Sequence, residues 1–219
     1  PGVSPFALAR LNLDGSLDMT FNVGIGVNPG GDVRELVQQS DGRVLVGGLF
    51  TALNGIARQN LARLNADGSV DSSFTATSDS TAQPATQVAL QNDGKILVAT
   101  DSRLRRLLAD GAVDSGFVGP DSSFSVSFVA PLPGGRLVAG NSSTLRRLNA
   151  DGSIDAGFSP ITAGSNTTSS TTHISNTITQ LTAAAEGKLY FLQHTNFSSG
   201  VTAASTISYS YNTLRRLGS

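Results

Sequence analysis

The residues with the most chemical potential surround a glycine turn in Arg63-Leu-Asn65-Ala-Asp67-Gly68-Ser-Val-Asp71. Asn65, Asp67 and Asp71 offer hard oxygen ligands at alternate spacing, the arrangement by which a loop wraps a calcium ion. Where such a loop would carry its first aspartate the chain holds Arg63, and a guanidinium can take the cation's place by pairing with the same carboxylates. Two readings follow: a calcium loop, or a structural Arg/Asp turn that needs no metal and no cofactor. The set recurs as Arg10, Asp14 and Asp18, as Arg106, Asp110 and Asp114, and as Arg147, Asp151 and Asp155. Carboxylate pairs of this kind could flank a glycosidic bond. Their repetition at equivalent positions argues for a frame, since an active site is normally asymmetric.

Other chemistry has little to stand on. The chain lacks cysteine, which removes thiolate nucleophiles, thiolate metal sites and disulfides together. No G-x-S-x-G elbow and no S-x-x-K occurs, so the many serines lack an activating base. His173 and His194 stand outside any zinc-type spacing and read as surface or turn residues. Gly24-Ile-Gly26-Val-Asn-Pro-Gly30-Gly31 precedes a β-type segment, whereas a phosphate cradle needs a helix N-terminus at that point. A net charge of -1 gives no footprint for nucleic acid, and no apolar run is long enough to span a bilayer. The doublets Arg105-Arg106, Arg146-Arg147 and Arg215-Arg216 are expected to send one arginine to the solvated edge and the other to the aspartate turn.

These residues must be positioned by a repeat. One phrase starts at Leu8, Leu61, Leu104 and Leu145, closes on Phe21, Phe74, Phe117 and Phe158, and begins a partial fifth copy at Leu214. A second phrase alternates with it: Asp41-Gly-Arg-Val-Leu-Val46, Asp93-Gly-Lys-Ile-Leu-Val98, Gly134-Gly-Arg-Leu-Val138 and Glu186-Gly-Lys-Leu-Tyr-Phe191. The unit is about 41 residues, with insertions in the first and fourth repeats, the latter over 159–182 and 195–212. Strands are expected at Val33–Gln39, Gln87–Gln91, Lys95–Thr100 and Leu61–Asn65, with a short fourth at Val70–Phe74. Four short strands and their turns fill one propeller blade. In Ile96-Leu97-Val98 both faces are apolar, as a sheet packed between two others requires. The expectation is therefore a single all-β domain, 1–219, of tandem four-stranded blades: four complete and a partial fifth.

The phrases Phe50 to Phe74 and Val88 to Val98 resemble the delta-60 repeats found as β-propeller segments of large bacterial surface proteins. The resemblance implies a propeller fold and an extracellular or cell-surface location. It implies no activity, and the long Ser/Thr/Asn-rich stretches of the fourth repeat depart from it. Opening at Pro1, the chain reads as a processed or excised piece. It starts and stops within the same strand phrase (Phe6–Leu11 and Thr213–Leu217), so blades could close within one chain or across subunits, the latter giving a filament.

The function expected is that of a non-enzymatic structural or interaction module: an adhesin, or a self-assembling fibre, whose fourth-repeat loops make the contacts. Its partners would be itself, other surface proteins or glycans, with no nucleic acid and no membrane insertion. A glycan- or small-ligand-binding propeller assisted by calcium is the alternative, and a hydrolase stands third.

Overall fold

The computed structural model describes residues 8–22, 24–76, 83–163, 167–168, 172–183, 189–200 and 206–217. It divides into two compact units, Pro1–Phe117 and Val118–Ser219. Every sheet is antiparallel, and the one short helical turn among the described residues is the 3-10 turn Pro133–Gly135.

The first unit contains β1 (Asp32–Gln38), β2 (Val44–Leu49), β3 (Ala52–Leu53), β4 (Ile56–Ala57), β5 (Leu61–Leu64), β6 (Gln87–Leu90), β7 (Ile96–Ala99) and β8 (Leu104–Leu107). They form the sheets β1-β2-β5 and β6-β7-β8 and the hairpin β3-β4. That hairpin, closed by Asn54-Gly55, is most of what lengthens the first repeat. The second unit contains β9 (Phe128–Pro131), β10 (Leu137–Gly140), β11 (Thr144–Leu148), β12 (Ile161–Thr162), β13 (Thr167–Thr168), β14 (Thr172–Ala183), β15 (Leu189–Gly200) and β16 (Thr206–Leu217). Its sheets run β12-β11-β10-β9 and β13-β14-β15-β16.

The alternating apolar strands are explained by what lies on each side of them. Val46 of β2, with Ala62 and Leu64 of β5, packs with Val27, Phe50, Leu53 and Val70. Leu45, the next residue in β2, points the other way, into a cluster with Leu61, Phe74, Val88, Ile96 and Val98. Side chains alternate across a strand, so a strand between two packed layers must be apolar at every position. In the second unit Ala130, Val138 and Leu145 meet Ile178 and Leu181 of β14.

The two phrases of the repeat are hydrogen-bonded partners, four times in one register: Val44↔Leu64, Ile96↔Leu107, Leu137↔Leu148 and Leu189↔Leu217. An arginine follows in each case, opposite Leu45, Leu97, Val138 and Tyr190. The partial fifth phrase thus occupies in β16 the place that its earlier copies occupy in β5, β8 and β11.

Two expectations change. The fourth strand at Val70–Phe74 is reduced to the single bridge Leu64↔Val70, repeated as Leu107↔Val113 and Leu148↔Ile154, because the chain leaves the ladder at once to form the aspartate turn. The stretches 159–182 and 195–212, expected as loops, are largely strand: β12, β13, most of β14 and the outer halves of β15 and β16. Their Thr, Ile and Tyr residues favour extended backbone, and partners lie on both sides of β15 from end to end.

Candidate functional site

The repeated polar constellation is assembled by two successive tight turns at the end of the leucine-arginine-leucine strand. In the second copy, Gly68 N donates to Asn65 O at 2.9 Å and Asn65 N to Ser69 O at 2.8 Å, which folds the chain back. Asp67 Oδ1 fixes that turn by accepting from Ser69 N (2.9 Å) and Ser69 Oγ (2.7 Å). Asp71 then repeats the device, its Oδ1 accepting from Ser73 N (2.9 Å) and Ser73 Oγ (2.6 Å). Its other oxygen, Oδ2, accepts from Arg63 Nε at 2.8 Å. The guanidinium lies over the Phe74 ring, 4.6 Å from its centroid, and its NH1 donates to Ala109 O, in the next repeat, at 2.6 Å. Arg63 and Asp71 are both buried.

The arginine therefore pairs with the second aspartate of each phrase and not with the first. Arg10 meets Asp18 at 2.8 Å, Arg106 meets Asp114 at 2.7 Å and Arg147 meets Asp155 at 2.8 Å. Asp14, Asp110 and Asp151 instead accept bonds from Ser16, Ala112 and Ser153 within their own turns. Phe21, Phe117 and Phe158 lie under the corresponding guanidiniums at 4.6–4.8 Å. Arg10 NH1 donates to Ala66 O at 2.8 Å, so the first copy grips the second as the second grips the third. Asn22, just after Phe21, adds a bond from its N to Asp67 O.

Glycine is required at this joint. Gly68 has φ +89°, and a Cβ there would lie 2.7 Å from Asn22 N; Gly111 has φ +96° and would meet Thr75 C at 3.0 Å. Both positions need a left-handed backbone and leave no room beside the preceding repeat.

The surroundings keep these carboxylates ionised. Hydrogen bonds from the Thr20 hydroxyl and amide, with Arg10, lower Asp18 to about 2. Burial opposes the charge on Asp71, but the Ser73 hydroxyl and amide and Arg63 together outweigh it and hold that group at about 2. Asp114 is likewise lowered against burial, by Arg106, the Gly116 amide and Lys95. Arg147 and the Gly157 amide lower Asp155, with Arg136 contributing through its charge. A carboxylate so stabilised has little tendency to pass a proton near neutral pH.

The remaining sequence candidates do not converge here. Asn65 Nδ2 donates to Ser69 Oγ, so its amide braces the turn beside Asp67. His194 is half-buried in β15, with Thr177 as its backbone partner, and the side chain of His173 lies outside the described residues. Gly24–Gly31 leads into β1 and not into a helix. Phe6 and Glu186 also lie outside the described residues.

Arg146 corrects the expectation for the doublets. It lies over the Phe124 ring at 5.1 Å and is half-buried, so it is not a solvated edge charge. Phe124 closes Asp121-Ser-Ser-Phe, a second occurrence of the Asp71-Ser-Ser-Phe turn, in which Ser123 N donates to Asp121 Oδ1 at 2.9 Å. Sequence reasoning tied the turn to the phrase before it and missed this copy, which has no such phrase; the four-residue identity was its signal.

Segments 2–21, 39–74, 91–117 and 135–158 match a family described as a domain of unknown function (DUF5122) beta-propeller. Each of the last three runs from the glycine turn of the second phrase to the phenylalanine that closes the first. No curated protein matches the chain. Among solved structures, a protein of unknown function from Bacteroides caccae superposes with a TM-score of 0.53 and 18% identity, over 84% of this chain and 62% of that one. The extracellular domain of the hybrid two-component system BT4673 of B. thetaiotaomicron gives 0.49 and 13%, over 80% and 21%. PorZ, a surface component of the type-IX secretion system of Porphyromonas gingivalis, gives 0.46 and 12%, over 91% and 24%. The chain spans less than two thirds of the length of each. Of the three, the Bacteroides caccae protein bears on the fold, and on the fold alone.

Proposed function

We propose that this chain, whose repeats match a β-propeller family, is a non-enzymatic interaction scaffold of a bacterial surface protein. The observation that supports it is the fate of the recurrent carboxylates. Asp18, Asp71, Asp114 and Asp155 each accept from an arginine of their own phrase and from the turn that follows. Groups so engaged brace the turns of their own phrases and are poor acids and bases. The surface location rests on the resemblance of the repeat phrases to delta-60 repeats. Rigid repeats commonly present binding surfaces on their longer elements. Here those are the outer halves of β14, β15 and β16, which run beyond the leucine-paired part of their sheet. That part of the sequence is rich in Ser, Thr, Asn and Tyr, a composition suited to another surface protein or a glycan.

The experiment compares the full chain with a variant in which 196–210 is replaced by Asn-Gly, so that Thr195 and Tyr211, already paired, are joined by a two-residue turn. Labelled protein is applied to intact bacterial cells and to an array of immobilised glycans, and also tested on chromogenic glycoside, ester and phosphate substrates. Saturable retention lost with the shortened ladder is the expected outcome. Turnover of any substrate that Asp71→Asn abolishes would overturn the proposal.

A further inference from the structure

Glycine follows an acidic residue or its amide at seven places: after Asp14, Asp41, Asp67, Asp93, Asp110 and Asp151, and after Asn54. Such a pair can cyclise, because the glycine N can close a five-membered ring on the side-chain Cγ before it and carries no Cβ to obstruct the approach. What holds the two reacting groups decides whether it does. In the six Asp-Gly turns both are held. Each glycine N donates to the carbonyl three residues earlier at 2.9–3.0 Å, and each aspartate Oδ1 accepts from the amide two residues on at 2.9–3.1 Å. Bonds from Ser16 and Ser69 also lower Asp14 and Asp67 below the ordinary carboxylate range, and an ionised carboxylate offers an approaching nitrogen no leaving group.

Asn54-Gly55, the turn of the β3-β4 hairpin, differs on every count. Its residues have φ +50° and +75°. Gly55 is exposed, with no atom within 4 Å of where a Cβ would stand, and its N has no hydrogen-bond partner among the described residues. Asn54 Oδ1 accepts from Ile25 N at 3.3 Å, a bond that draws electron density from Cγ. Its Nδ2, the group that would leave, donates to nothing among the described residues. The nucleophile, the electrophile and the leaving group are thus all available at this one pair.

We infer that Asn54-Gly55 is a self-modifying site of the folded chain, at which the amide is exchanged for isoaspartate and aspartate. Gly55 N attacks Asn54 Cγ; the N–Cγ bond forms, the Cγ–Nδ2 bond breaks, and ammonia leaves with the proton from Gly55 N. Water then opens the cyclic imide at either carbonyl. Opening at Cγ gives aspartate, whose oxygen can still accept from Ile25 N. Opening at the main-chain carbonyl gives isoaspartate, which carries the chain through Cβ and Cγ and lengthens it by one atom. A two-residue hairpin turn has no slack for that atom. The hairpin then loses its hold on the preceding segment, made by Asn54 N on Gly26 O (2.7 Å), the Val27↔Leu53 bridge and Asn28 N on Ala52 O (3.1 Å). The inference does not depend on the surface role proposed above.

The test ages the full chain, folded, in mildly alkaline heavy-oxygen water and follows tryptic peptides by mass spectrometry, with an isoaspartate-specific methyltransferase to mark the rearranged product. The peptide Val44–Arg58 holds Asn54 as its one side-chain amide, so its mass reports this site alone. Conversion with uptake of the heavy oxygen is expected there, while the six Asp-Gly turns form isoaspartate only when the chain is aged in urea. Asn54→Gln, which would need a six-membered ring, abolishes the signal. In the converted chain the amides of 24–28 exchange hydrogen at least about tenfold faster, whereas Asn54→Asp, which adds the charge without the extra atom, leaves them protected. A folded chain that stays unconverted while the free Val44–Arg58 peptide converts fully overturns the inference. So does isoaspartate forming equally fast in the folded Asp-Gly turns, or unchanged exchange over 24–28 after conversion.

Discussion

Arg63 and Arg10 hold the same position in two copies of one phrase and differ in exposure, which makes them a controlled pair. The Arg63 side chain is 6% exposed and that of its partner Asp71 is 7% exposed, against 36% for Arg10. Arg63→Ala removes the bond to Asp71 Oδ2, the cation-π contact with Phe74 and the bond to Ala109 O, and leaves a buried carboxylate facing a void. Truncating one partner of a buried ion pair costs about 3–5 kcal/mol. Ser73 still donates twice to Asp71, so the lower end, about 3 kcal/mol, is the expected loss. At roughly 3 °C per kcal/mol for a chain of this size, the melting midpoint should fall by about 9 °C. Arg63→Lys keeps a charge but not the planar fork that bonds and stacks at once, and should recover less than half of that fall. Arg10→Ala removes the same three kinds of contact in water-exposed form and should move the midpoint by a small fraction as much. The assay is thermal and urea unfolding of the three variants followed by circular dichroism. Equal losses for Arg10→Ala and Arg63→Ala would refute the claim that burial makes the second clamp the stronger.

Stability should also depend on acidity in a defined window. Asp18 and Asp71 are held at about 2, below the ordinary 3.8, so the folded state binds fewer protons than the unfolded state between those values. The stabilisation is complete above about pH 4 and is lost as the pH falls from there through about 2, and Asp71→Asn should flatten the fall; urea midpoints measured across that range check it. Gly68→Ala and Gly94→Ala separate backbone strain from crowding, since both have positive φ but only Gly68 faces a neighbour. Gly94→Ala should cost about 1 kcal/mol and Gly68→Ala about 2 kcal/mol or more, measured by urea unfolding.

What the sequence displays openly is whatever lies within one phrase. The alternation of the two phrases carries the ladder register, because Gly-Lys-Ile-Leu-Val and Leu-Arg-Arg-Leu each place an apolar residue at the paired end and a polar one beside the turn. The apolar runs at both faces of β2 and β7 announce layers on each side. Contacts between phrases are less legible: nothing in Arg63 and its neighbours says that the guanidinium ends on the carbonyl of Ala109, 46 residues away. The phenylalanine that closes each phrase is visible as a repeat, but its place under the arginine depends on two turns that bring together residues eleven apart, as Arg63 and Phe74 are. Asp14 and Asp18 look equivalent as text, yet the turn geometry sends one carboxylate to its own serine and the other to arginine. In the fourth repeat the abundance of serine and asparagine suggests loop, while the Thr, Ile and Tyr residues among them support long strands. Composition misled there because β15 supplies partners along its whole length.

The reach of each arginine clamp has a mechanical consequence. Arg10 holds the turn of the second copy and Arg63 that of the third, so these copies are fastened like links, each to the next. Tension along the chain would fall on one fastening at a time. When a link opens, the slack it releases shields those behind it, and the repeats would yield in steps, the water-exposed clamp before the buried one.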